Sequence, residues 1–277
     1  MSTTDWQIEG SAGKPIRATT DATAQTPRLS LVFAHGFKGY KEYGFMPVMA
    51  REIASRTPAN VHRFTMSHSG MGTNIETFEH PELFEQNTLN YEVGDLTSVV
   101  EEVRRRDGGL PVVCMGHSRG GVTTILACGR ASSTINPAGV IILAAPDSSF
   151  RLNEKDRQTL LDQGRVVSPS SRTGQDLYLG RQWLMDQLAN PADHDVLACA
   201  ERLSMPVLIV HGDQDEAVPV SCGHAIAYRI TRSEMRVLEG CNHVFNMPNP
   251  ADDAPVSDAL EEAVSSVCEF LTQTVLR

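Results

Sequence analysis

The chain has 277 residues, 41% of them hydrophobic and 21% charged, a balance that supports a sizeable core and excludes wholesale disorder. Its formal charge of −10 makes phosphate backbones and anionic membrane surfaces poor partners, so nucleic-acid binding and membrane association are not expected. No apolar run approaches the length of a bilayer span, and the first residues, Met-Ser-Thr-Thr-Asp-Trp, lack a basic leader and an apolar stretch, so a cytoplasmic location is the default expectation. Six cysteines are scattered without a C-x-x-C pair, which favours buried thiols over disulfides or a zinc site, and no metal is expected.

Arg28 to His35 is a short apolar run of the kind buried on both faces of a parallel sheet. Met46 to Arg56 reads as a helix, Asn60 to Met66 as a strand, and Ser67 to Thr73 as a Gly/Ser loop. Leu89, Val93, Leu96, Val99, Val100 and Val103 recur at three- and four-residue steps, marking an amphipathic helix that stops at Asp107-Gly108-Gly109. A strand, Pro111 to Met115, a helix, Arg119 to about Cys128, and a third buried strand, Gly139 to Ala145, follow. From Asp147 to about Leu203 the alternation breaks. No strand is expected there, and helical spacing over Asn153 to Gln163, Leu177 to Ala189 and Asp193 to Leu203 predicts a helical cap. The rhythm resumes with strand Val207 to His211, a helix across Gly223 to Arg229, strand Met235 to Glu239 and a helix from Asp258 to Val275. The expected organisation is an α/β core formed by residues 1–146 and 204–277 with a cap at 147–203, its mostly parallel sheet covered by helices on both faces.

In such a sheet, active-site groups sit on loops beyond the carboxyl ends of strands. Gly116-His117-Ser118-Arg119-Gly120 fits G-x-S-x-G, a pentapeptide of little weight alone, but here it joins a strand to a helix as a nucleophile elbow requires. A serine hydroxyl needs a histidine to take its proton and an acid to hold that histidine's tautomer. Of nine histidines, His243 follows the last strand and completes the chain order Ser, acid, His. His35, His117, His211 and His224 are expected in structural hydrogen bonds, and His62, His68, His80 and His194 on the surface. For the acid, the loop Gly212 to Pro219 offers Asp213, Asp215 and Glu216; Asp215 sits further out than Asp213, where it could meet His243, and Asp213, expected to bond its own turn, and Asp147 are the alternatives. Backbone N–H groups of Phe37 and Arg119 would form an oxyanion hole, leaving the side chain at 119 free to vary. In the cap, Tyr178, Trp183, Leu184 and Leu188 are candidate pocket walls, although the same spacing is that of a cap's own packing face.

His35-Gly36-Phe37-Lys38-Gly39, the elbow from Gly116 to Gly121, the acid loop Gly212 to Pro219 and Asn242-His243 together resemble the α/β-hydrolase superfamily across nearly the whole chain. Within it the chain is similar to the cinnamoyl/feruloyl-esterase-like, dienelactone-hydrolase-like and serine aminopeptidase-like branch, whose cinnamoyl esterases carry Gln where this chain has Arg119. The resemblance implies Ser118, Asp215 and His243 as a triad, Phe37 and Arg119 as oxyanion donors, and no cofactor. Ser118, rather than an aspartate, at the elbow argues against dehalogenase or epoxide-hydrolase chemistry. The expected activity is hydrolysis of a small or medium carboxylic ester; an amidase or peptidase of the same fold is the nearest alternative, and a non-catalytic ligand receptor a more distant one.

Overall fold

The computed structural model of the protein describes residues 2–149, 152–251 and 254–277. Ten strands and nine α-helices are formed among them. The N-terminal hairpin is β1 (Ser2–Glu9) and β2 (Pro15–Ala22), followed by β3 (Leu29–Ala34), α1 (Met46–Arg56) and β4 (Ala59–Thr65). Next come α2 (Pro81–Gln86), α3 (Leu89–Arg106), β5 (Val112–His117), α4 (Arg119–Gly129) and β6 (Gly139–Leu143). The insertion holds α5 (Glu154–Gln163), β7 (Arg165–Pro169), β8 (Asp176–Gly180) and α6 (Arg181–Ala189), and α7 (Val196–Glu201) follows it. The chain closes with β9 (Val207–Gly212), α8 (Val220–Arg229), β10 (Ser233–Leu238) and α9 (Asp258–Phe270), which runs on into a π-turn at Leu271–Val275.

Eight strands form one sheet in the order β1-β2-β4-β3-β5-β6-β9-β10, parallel from β4 to β10 and antiparallel where β1, β2 and β4 pair. Successive residues of a strand point to opposite faces, and the two cores follow that alternation. Val32, Cys114, Ile142 and Ile209 pack on one side with residues of α3, α4, α7 and α8. Leu31, Phe33, Met115, Ile141, Leu208 and Val210 pack on the other with α1 and α9. Burial on both faces explains why these strands read as unbroken apolar runs.

The N-terminal hairpin escaped the sequence reading because little of it is apolar: in β1 only Trp6 is fully buried. It is secured by polar contacts instead. Trp6 Nε1 donates to Thr20 Oγ1 at 2.8 Å, and the buried Arg63 on β4 lies 3.0 Å from the buried Asp21 on β2. The insertion also differs from expectation. Residues 165–180 form an antiparallel hairpin, not a helix, with Val166, Leu177 and Leu179 turned inward at strand period. The helix expected over Leu177 to Ala189 begins only at Arg181, because Gly180 fits where a Cβ would come within 2.3 Å of Glu85 O. At the other end of the stretch, α7 packs on α4 and α8, and its Val196, Cys199 and Ala200 belong to the main core. Among the described residues no helix is long and apolar enough to cross a membrane, and no cluster of His, Cys, Asp and Glu could hold a metal ion. The six cysteines are free thiols, five of them buried.

Removing Asp21 takes from the buried Arg63 its fully buried partner and leaves it only the less buried Glu42, and losing one member of a buried pair is costly. Asp21→Ala is therefore expected to lower unfolding stability by about 3 kcal/mol, read as a reduced midpoint in urea denaturation, whereas Asp5→Ala at the exposed end of the same hairpin should have little effect.

Candidate active site

The elbow between β5 and α4 is built by close approach. Strand β5 extends through Gly116 and His117, further than the apolar run indicated, and α4 starts at Arg119, so Ser118 alone makes the reversal. It does so at φ 54° and ψ −124°, outside the regions open to most L-residues, a strain the surrounding structure has to hold. A hydrogen bond from Ser118 N to Leu143 O at 2.8 Å, off the end of β6, fixes it. A Cβ at Gly116 would lie 2.1 Å from Gly120 O, and one at Gly120 would lie 2.4 Å from both Ala34 O and His35 O. Both positions must be glycine for strand and helix to pass this closely.

Two further loops reach the elbow. After β10, His243 Nε2 stands 3.0 Å from Ser118 Oγ, and after β9, Asp215 Oδ2 stands 2.7 Å from His243 Nδ1. A carboxylate only accepts, so Nδ1 carries the proton and Nε2 offers its lone pair to the serine hydroxyl. Asp215 is buried, with Oδ1 accepting from the amides of Ala217 at 2.9 Å and Val218 at 2.7 Å. Burial alone would raise its pKa; hydrogen bonds from His211, His243 and the Val218 amide outweigh it and hold the carboxyl well below the usual range. Of the alternative acids, Asp213 bonds Gly240 N at 2.8 Å, bracing the β10 turn rather than its own, and Asp215 is the carboxylate that meets the imidazole.

The backbone donors expected at Phe37 and Arg119 flank Ser118. Arg119 is the first residue of α4, where the N–H has no intrahelical acceptor. Phe37 follows Gly36, at which a Cβ would stand 3.0 Å from Ser118 Cβ, and both Phe37 and Arg119 line the cleft that contains Ser118 and His243. The side chain of Arg119 is itself engaged. Its Nε lies 2.9 Å from Glu92 Oε1, and its guanidinium sits over the rings of Phe37 at 5.1 Å and Trp183 at 5.8 Å. Glu92, buried on α3, also accepts from Asn87 Nδ2 at 2.7 Å and Thr123 Oγ1 at 2.6 Å.

The cleft has a volume of about 370 Å³. Of the four residues proposed as its walls, Trp183 lines it. Tyr178 lies instead beneath Arg165 on β8, Leu184 is buried inside the insertion's own small core, and Leu188 is exposed on the far side of α6. The remaining apolar wall is formed by Leu89, Val122, Leu152, Val166 and Leu179. Of these, Val166 fell between the expected helices and Leu179 inside one; the alternation of Leu177, Tyr178 and Leu179 was the available signal.

The histidines sort differently from the sequence reading. His62, His68 and His194 are buried, not surface residues, while His80 is exposed. His62 bridges Thr20 Oγ1 and Asp107 Oδ2, both at 2.9 Å, His68 bonds Ser67, and His194 bonds Asn190 O. His224, expected in a structural hydrogen bond, is exposed on α8. His35 accepts from Met66 N at 3.0 Å, and His117 meets His243 O at 2.9 Å with its ring 4.8 Å from that of His243.

The sequence pattern of the alpha/beta hydrolase family matches residues 31–256. The chain belongs to the alpha/beta hydrolase family. Among solved structures it is similar to Est1E from Butyrivibrio proteoclasticus with ferulic acid bound, at 20% identity and a TM-score of 0.74, covering 98% of this chain and 100% of that one. It is also similar to the esterase domain of a Rhodothermus marinus protein, at 14% identity and a TM-score of 0.65, covering 99% and 100% of the two chains. A putative hydrolase from Agrobacterium vitis S4 aligns at 16% identity with a TM-score of 0.68, covering 96% and 98%. No curated protein sequence matches the chain. At these identities the structural likeness establishes the α/β-hydrolase fold.

Burial pushes the His117 pKa down to about 3, with the neighbouring His243 adding to the effect, and burial likewise lowers those of His35, His68 and His194. These groups take a proton in the unfolded chain near pH 6.5 that the folded chain refuses until lower pH, so folding stability present above that value is lost as pH falls. For His117 the window runs from about 6.5 to about 3, at about 1.4 kcal/mol per pH unit. Urea midpoints should fall steeply from pH 7 to 4, and a stability that stays level across that range would contradict the burial of these imidazoles.

Proposed function

We propose that the protein is a serine hydrolase that cleaves a small or medium carboxylic ester through an acyl-enzyme on Ser118. The observation that carries this reading is the continuous line from Ser118 Oγ to His243 Nε2 at 3.0 Å and from His243 Nδ1 to Asp215 Oδ2 at 2.7 Å. It joins three distant stretches of chain in the geometry that proton transfer from a serine requires.

In this reading His243 takes the proton of Ser118 as Oγ attacks the ester carbonyl, and Asp215 stabilises the imidazolium that results. The oxyanion is met by the N–H groups of Phe37 and Arg119. His243 then returns its proton to the leaving alcohol, and the same imidazole activates water to free the acid from Ser118. No step calls for a cofactor or a metal. The small-molecule ester would lie with its acyl group against Leu89, Val122, Leu179 and Trp183, an apolar wall suited to an aliphatic or aromatic acyl chain. The ferulic acid bound by Est1E, whose fold this chain shares, supports an acyl group of that size.

A fluorophosphonate probe should label the wild-type protein and fail to label Ser118→Ala, whose kcat on p-nitrophenyl butyrate should fall by roughly 10⁵-fold or more. Undiminished turnover in that variant would remove Ser118 from the reaction. Because an imidazolium cannot accept the serine proton, kcat/KM should decline as pH drops below the range in which histidines ionise. A comparison of acetyl, octanoyl and cinnamoyl esters then reads the shape of the apolar wall.

A further inference from the structure

Asp215 faces a second imidazole that the reaction does not use. His211, the fifth residue of β9, is fully buried, and its Nε2 lies 2.8 Å from Val218 O and 3.4 Å from Asp215 Oδ2. A carbonyl only accepts, so Nε2 bears the proton, and that one N–H points at both oxygens. Nδ1 is then a buried lone pair, with no hydrogen-bond partner among the described residues. Leaving it so is unfavourable, and an apolar side chain would avoid it. Room for the ring is made by Gly223 on α8, where a Cβ would fall 2.8 Å from His211 Nδ1.

These contacts close on themselves. Val218 donates its N–H to Asp215 Oδ1 and accepts from His211 through its carbonyl, so one imidazole clamps both the loop and the carboxylate that the loop carries. The other oxygen, Oδ1, is fixed by the amides of Ala217 and Val218, which leaves Oδ2 as the atom shared by His243 and His211.

We propose that His211 is a positioning residue for the acid: its Nε2–H fixes Asp215 Oδ2 in line with His243 Nδ1 and takes up part of the carboxylate's charge. The proposal rests on the serine-hydrolase reading and adds to it a fourth side chain, acting through Asp215 and never touching substrate. The depressed pKa of Asp215, to which the His211 hydrogen bond contributes, agrees with it. The other ionisable groups around the pair are His117 at the end of β5, Cys241 beyond β10, Asp213 on the acid loop, and Glu262 on α9. From α8 the buried residues facing β9 are Cys222, Gly223 and Ile226, of which the Cys222 thiol alone can titrate.

The test measures kcat, KM and the pH profile of kcat/KM for p-nitrophenyl butyrate with the full-length protein. His211→Phe keeps the volume and removes the donor; it should lower kcat by roughly tenfold with KM unchanged within twofold. It should also move the acid limb of kcat/KM to higher pH, because the carboxylate charge, no longer shared, bears on His243 alone and favours its protonated form. His211→Gln, whose Nε2 can reach the same oxygens, should recover most of both. Should His211→Phe fail to fold, Gly223→Ala keeps the imidazole and drives it off its place, and should show the same loss of kcat and the same direction of shift. An acid limb that stays put or moves to lower pH, or a Phe variant no worse than Gln, overturns the proposal. Loss of probe labelling in Ser118→Ala together with either of those results would sink only the role of His211, whereas persistent labelling there would sink the hydrolase reading itself.

Discussion

The close crossing of β5 and α4 at Ser118 is the constraint from which the rest of the site follows. A strand that turns into a helix in one residue needs that residue in a strained conformation, and strain persists only where neighbours over-determine it. Here they do: Leu143 O holds the Ser118 amide from the adjacent strand, and Gly116 and Gly120 allow the helix to press against the ends of β3 and β5. The result is a hydroxyl held out from the sheet edge, with the first amide of α4 and the loop after β3 beside it. Because β3, β6 and β9 run parallel to β5 or its neighbours, their carboxyl ends open at the same edge, and loops from β3, β9 and β10 can reach the serine without crossing the sheet.

That same topology decided what could be read from sequence. Strands buried on both faces must be apolar without interruption, so β3, β5, β6 and β9 were legible as runs, and the residues just past them were legible as site candidates. Asp215 could be separated from Asp213 only by how far each stands from the strand end; in the fold Asp213 turns to Gly240 and Asp215 to His243. The N-terminal hairpin was not legible because it joins the sheet at an edge, where one face and one side meet water and few apolar residues are needed. The hairpin in the insertion was lost for a different reason. Leu177, Leu179, Trp183 and Leu184 satisfy helical and strand spacing about equally, and the strand up to Gly180 is set by its pairing with β7 and by the close approach of Glu85 O, tertiary contacts with no local signature.

Histidine placement shows the limit of local reading more sharply. His62 and His68 are buried against partners contributed by packing, Thr20 and Asp107 for the one and the Tyr91 ring for the other, while His194 is buried with its bond to Asn190 O four residues away. A side chain that both donates and accepts can be buried at small cost wherever one carbonyl or carboxylate is at hand, so hydropathy alone misplaces it. The surroundings of the Arg119 side chain are likewise set by packing. Its backbone role leaves the side chain unspecified, but Glu92 from α3 and the rings of Phe37 and Trp183 surround it.

This arrangement joins the insertion to the core through charge as well as apolar contact. Trp183 of α6 and Phe37 of the loop after β3 both lie against one guanidinium, whose charge is balanced by a glutamate that Asn87 and Thr123 hold in turn. The hairpin is tied down independently: Lys38 Nζ donates to Pro169 O at 2.8 Å, and the Gln175 side chain accepts from Phe78 N at 2.8 Å and donates to Phe78 O at 3.1 Å. Lys38 adjoins Phe37, so the segment that lines the cleft beside Ser118 is also the segment that fastens its outer wall. A displacement of that wall has therefore to move Lys38 or break its bond, and either change is felt one residue away from Phe37. The cleft's outer wall and the loop after β3 are coupled by these contacts, which makes the insertion part of the frame around Ser118 as well as its cover.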